Sequence, residues 1–138
     1  MPGPAPKLDP ARRNARTGPM KLPPEGYQGE LPVWPLHGPL SQQEVLTWRE
    51  MWRTPQAAAW VTLGPGCIRV VARYVRVLMR AESVRAALPT DMAEARQLED
   101  KLGLTPKAMR MLLWEIAPNE VEEQRQATSG ARGRIKAV

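Results

Sequence analysis

The sequence has one cysteine, one histidine, no long uninterrupted apolar run and no acidic residue after Glu123. Each shortage excludes something. The single cysteine, Cys67, rules out an internal disulfide and suits a reducing compartment. A transmembrane helix needs about 18 or more apolar residues in succession, which the chain lacks, and its proline-rich start has no apolar signal-peptide core. These features predict a cytosolic protein with no membrane contact. His37 lies in a proline-rich stretch and Cys67 at a helix start, so one chain cannot assemble a catalytic triad, a zinc site or a histidine acid–base pair from them. "GPGCIR" precedes a helix but lacks the G-x-x-x-x-G-K-[ST] spacing and the lysine of a phosphate-binding loop. The expectation is a protein that is not an enzyme and holds neither metal nor cofactor.

Charge is present and unevenly placed. The formal net charge is +6. Residues 31–123 carry eleven basic and eleven acidic side chains, whereas residues 1–30 carry five against three and residues 124–138 carry four against none. The excess therefore sits at the two ends, either as flexible arms that meet a polyanion or as solubilising tails. Fifteen arginines against five lysines, with abundant alanine and proline, suggest a GC-rich genome.

Periodicity predicts an all-α fold, a small helical domain, with an extended proline-rich basic arm over residues 1–40, a helical core over 41–117 and a solvated basic tail over 118–138. A core of about 75 to 85 residues is small enough that oligomerisation would add stability. Trp34, in "LPVWPL", is placed to dock on the core as an anchor. Ser41 and Glu44 form an S-x-x-E capping box that opens a helix to about Arg53, with Trp48 and Trp52 one turn apart on its apolar side. Thr54-Pro55 opens a short second helix that "GPG" stops. A third helix is predicted from about Cys67 to Leu88, with an apolar face so broad that it is either central in the subunit or also a subunit interface. Val71, Val75, Leu78, Trp48 and Trp52 are the candidate interface residues. A fourth helix runs from about Asp91 to Leu102; its Asp91, Glu94, Glu99 and Asp100, interleaved with Arg96 and Lys101, read as a solvated face. Gly103 caps it, and Thr105-Pro106 starts a fifth helix with Met109, Leu112, Leu113 and Ile116 on its apolar face. No alternating run is long enough to argue a sheet.

What remains is binding. Arg69, Arg73, Arg76 and Arg80 fall on one stripe of the third helix, about 16 Å long at 1.5 Å per residue, which either touches several phosphates or pairs with acids. Arg12, Arg13 and Arg16 of "RRNARTG" are placed to lie along a phosphate backbone or in a minor groove. "LEDKLGLTPKAMRMLLWEI" has the shape of a helix-turn-helix, with Lys107 and Arg110 outward and Met109 and Leu112 inward. A helical hairpin that only packs has the same signature.

The chain resembles the small terminase subunit of tailed double-stranded DNA phages, of the kind carried by phages and prophages of high-GC Gram-positive bacteria. The likeness rests on "PGPAPK" with "RRNARTGP", on "ELPVWP" and "WREMWRTPQAAAW", on "RVVARYVRVL" and on "EARQLEDKLGLTPKAMRMLLWEI". The resemblance implies a non-catalytic, homo-oligomeric ring that binds double-stranded phage DNA at the packaging-initiation site in the host bacterial cytoplasm. It also implies delivery of that DNA to the terminase large subunit, the ATPase and nuclease; the segment after Pro118, solvated and following the folded block, is the expected docking element. A helix-turn-helix transcription regulator and a structural capsid or connector adaptor are the other classes that these residues fit.

Overall fold

The computed structural model describes residues 3, 18–119, 124–125 and 127–131. They form a mostly helical block closed by one short parallel sheet: β1 (Met20–Leu22), α1 (Gln42–Met51), α2 (Gln56–Leu63), α3 (Pro65–Ala81), α4 (Pro89–Leu102), α5 (Pro106–Met111) and β2 (Trp114–Ile116). None of these helices is long and apolar enough to cross a membrane.

Helix starts follow local chemistry. The Ser41 hydroxyl accepts the Glu44 N–H at 3.1 Å and begins α1. Glu44 does not complete the box; its carboxylate points at Arg76 of α3 instead, 4.0 Å away. Thr54 closes α1 rather than opening α2, because its hydroxyl donates to the Met51 carbonyl at 2.8 Å. Pro65 occupies the first turn of α3, two residues earlier than the sequence predicted, since a proline there forfeits no helical hydrogen bond. Pro89 begins α4 in the same way, and the Asp91 carboxylate reaches back to accept the Leu88 N–H at 3.3 Å.

Two helix ends differ from expectation. α3 stops at Ala81, short of the predicted Leu88. Beyond it Ser83 accepts the Ala86 N–H, and Val84 is fully exposed, so continuing the helix would bury nothing there. α5 stops at Met111, where Leu113 takes a left-handed conformation (φ 57°) and turns the chain into β2. Leu112, Leu113 and Ile116, predicted on a buried helical face, are therefore exposed. Trp114 turns inward in their place, onto Gly103.

The sheet is the element that periodicity could not reveal. β1 and β2 pair in parallel, Met20 with Trp114 and Leu22 with Ile116, and Lys21 bonds Glu115 across them at 2.8 Å. Leu22 is one of the four largest fully buried side chains. The fold thus begins well before Ser41, and residues 20–40 belong to it.

α3 is the central helix, packing on α4, α1 and α2. Its broad apolar face is consumed within the subunit: Val71, Ala72 and Val75 have no exposed surface. Around it runs a chain of edge-to-face rings, Tyr27–Trp52, Trp34–Trp48, Trp48–Trp52 and Trp52–Trp60, with centroids 5.0 to 5.9 Å apart. Trp60, fully buried, donates its indole N–H to the Leu102 carbonyl at 2.9 Å and so ties α2 to the end of α4.

Candidate nucleic-acid interface

The helical hairpin is built from its turn outward. Gly103 caps α4 with φ 74°, and the Leu104 N–H bonds the Glu99 carbonyl at 2.9 Å, a Schellman closure. A side chain at Gly103 would also collide with the Trp114 ring. Thr105 then caps α5, accepting the Ala108 N–H at 3.1 Å and donating to Asp100 at 3.1 Å. Ala108 is buried and Met109 half-buried, whereas Lys107 and Arg110 are exposed, as their spacing predicted. Neither has an acidic partner among the described residues. α5 has six residues, about 9 Å of helix.

The arginine stripe of α3 divides into two halves. Arg69 and Arg73 are exposed and without acidic partners among the described residues. Arg80 pairs with Asp91, 3.3 Å away, which is 8% exposed and also caps α4. Arg76 is held most firmly. Its guanidinium donates to the His37 carbonyl at 2.6 Å, lies 5.4 Å over the Trp34 ring and faces Glu44. Trp48 assists by donating its indole N–H to the Pro32 carbonyl at 3.1 Å. Trp34 is thus the anchor expected, and Arg76 is its fastener.

The α4 acids are also structural in part, not simply a solvated face. Glu99 accepts the Tyr74 hydroxyl at 2.9 Å. Burial, that hydrogen bond and the charges of Glu99 and Glu82 hold the Tyr74 hydroxyl protonated well above its ordinary range. Burial likewise pushes the Cys67 thiol up, away from nucleophilic use.

Four of the five expected interface residues are buried within the subunit, and the fifth, Leu78, is half-buried. Trp48 and Trp52 are 3% and 2% exposed, Val71 and Val75 not at all, and Leu78 packs against the same cluster. A second chain cannot reach side chains that the first has already enclosed. Arg12, Arg13 and Arg16 lie outside the described residues.

One pair escaped the sequence reading. Arg49, in the last turn of α1, and Arg53, just past its end, flank a surface groove of about 490 Å³ whose other walls include Glu25, Tyr27, Leu31 and Trp52. Its signal was the spacing in "WREMWR", where each arginine follows a tryptophan and so lies about 100° from the core-facing stripe, beside it rather than in it. Gly26 brings the groove's outer wall against α1: it has φ 82°, and any side chain there would strike the Arg53 carbonyl.

Comparison with models of protein families, with curated proteins and with solved structures finds no match to this chain.

Proposed function

We propose that the chain is the non-catalytic small subunit of a phage DNA-packaging terminase, an oligomeric protein that grips double-stranded DNA at the packaging-initiation site and delivers it to the large ATPase and nuclease subunit. The observation that carries this reading is the α4–Gly103–α5 hairpin, which leaves Lys107 and Arg110 exposed and without acidic partners among the described residues. Arg69 and Arg73 add a second basic surface of the same kind. Arg12, Arg13 and Arg16 extend the grip from the N-terminal segment, and the segment after Pro118 is the element that docks on the large subunit.

The mechanism follows from how little each subunit offers. A six-residue helix with two cations reaches few base edges, so a single copy holds DNA mainly by phosphates, releasing counterions as it binds. Copies arrayed in a ring multiply that weak grip through effective concentration. Selection of the site then draws on duplex shape and bendability as well as base contact.

The test is fluorescence anisotropy with a duplex from the packaging-initiation region and a scrambled duplex, across a salt series. Binding should weaken linearly in log–log form with salt. Replacing Lys107 and Arg110 by alanine should reduce the slope by about 0.9 for each phosphate that the variant no longer neutralises. A dimer bound to a palindrome would point instead to a transcription regulator, and a chain indifferent to both duplexes to a structural adaptor.

A further inference from the structure

The groove beside α1 has the makings of a receptor. Arg49 and Arg53 are exposed and have no acidic partner within ion-pair distance among the described residues. Trp52 forms part of the same wall and is 2% exposed. Three rings, Tyr27, Trp48 and Trp60, hold Trp52 edge-on, so that wall is rigid. Tyr27 is half-buried and Leu31 is 45% exposed, giving the groove an apolar side. Glu25 also lines it, leaving two arginines against one glutamate. The complementary ligand is an extended segment with several carboxylates around a small apolar side chain.

The chain contains such a segment. Glu120, Val121, Glu122 and Glu123 follow Asn119 directly; they lie outside the described residues, and their chemistry is read from the sequence. We propose that the groove of one copy receives the Glu120–Glu123 segment of a second copy. The carboxylates pair with Arg49 and Arg53, and Val121 covers the Tyr27 and Leu31 side. The inference rests on the oligomeric part of the proposed function and names the contact that builds it, leaving residues 124–138 of the segment after Pro118 for the large subunit. Four of the five residues first expected at the interface, Trp48, Trp52, Val71 and Val75, are enclosed in the core, and the groove is a concave surface that remains. Groove and segment are different parts of the chain, so the contact is head-to-tail, the type that closes into rings.

The experiment is sedimentation velocity of the full chain without DNA, at low and high salt, with helix content followed by circular dichroism. Wild type should sediment as an assembly at low salt and lose mass at high salt. Arg49→Glu with Arg53→Glu should reduce it to a single chain, and so should Glu120→Lys, Glu122→Lys and Glu123→Lys together. Combining all five substitutions should restore the assembly. Mixing the two variants should also restore the assembly, with the variants alternating, because the acidic segment of one meets the arginine groove of the other and the lysine segment meets the glutamate groove. If the glutamate pair on α1 lowers helix content, Arg49→Gln with Arg53→Gln carries the test, with loss of mass again expected.

An assembly whose mass none of these changes alters overturns the proposal while leaving the ring reading intact. A wild type that sediments as a single chain at low salt overturns both, and the DNA-binding test stands apart from either result. Unchanged mass with altered tryptophan emission in the charge-reversed variants would also overturn it, assigning the segment to the groove of its own chain. Unchanged mass and emission would overturn it in favour of a different protein as occupant.

Discussion

Replacing Arg76 by methionine keeps most of the side chain's length and removes only the guanidinium. Three interactions go with it: the hydrogen bond to the His37 carbonyl, the contact over Trp34 and the 4.0 Å approach to Glu44. A hydrogen bond from a charged donor contributes about 1.5 to 3 kcal/mol, and a partly exposed cation over an indole about 0.5 to 1. The ion pair adds at most about 1, because a third of the arginine side chain remains in water. Methionine recovers some packing on Trp34, so the net loss expected is about 2 to 3 kcal/mol. At a urea dependence of about 1.5 kcal/mol per molar, the unfolding midpoint should fall by about 1 to 2 M. Emission from Trp34 should shift as the segment around it loosens. Arg73→Met is the matched control: the side chain is exposed on the same helix, and its stability should change by less than about 0.5 kcal/mol. In DNA binding the order should reverse, with Arg73→Met weakening the complex and Arg76→Met leaving it unchanged where both are folded. Equal midpoints for the two variants, or a larger binding defect for Arg76→Met, would refute the division of the stripe into a fastener and a free surface.

Other changes probe the hairpin and the core. Trp60→Phe leaves the Leu102 carbonyl without its donor and opens space in the core, and should cost about 2 to 4 kcal/mol in chemical denaturation. Gly103→Ala combines a left-handed backbone with a collision against Trp114, so a loss of at least about 1 to 2 kcal/mol and a lower thermal midpoint are expected. Tyr74→Phe should cost about 0.5 to 1.5 kcal/mol at neutral pH. Because the folded chain holds the Tyr74 hydroxyl protonated above its ordinary value of 10.0, this group's stabilisation is present below that value and lost as pH rises beyond it. The wild type should therefore lose stability in strong alkali, and the phenylalanine variant should lose less of it.

The legible parts of the fold were those written in adjacent residues. Ser41, Gly103 with Thr105, and the prolines at helix starts act within a turn of themselves, so a linear reading finds them. The ends of α3 and α5 were missed because apolar residues continue past them; whether Val84 or Leu113 finds a neighbour depends on elements elsewhere. β1 and β2 are three residues each, too short for alternation to show, and their partners lie 94 positions apart. The candidate site divides along the same line. The outward placement of Lys107 and Arg110 follows from helical spacing, but the capture of Arg76 and Arg80 depends on acids and carbonyls supplied by other segments. An arginine's sequence position gives its angle on the helix and not its company.

The β1–β2 pairing reaches beyond the three ladder steps that make it. It sets Met20 beside Trp114 and Leu22 beside Ile116, so the segment that precedes the fold and the segment that follows it are rooted within about 10 Å of each other. Eight of the chain's twenty lysines and arginines lie in those two segments. A near-neutral helical block thus holds the roots of both basic ends in one short sheet. Because the pairing is parallel, the chain enters the ladder at the end from which β2 starts and leaves it at the other, so the two segments are anchored side by side at opposite ends of one short sheet.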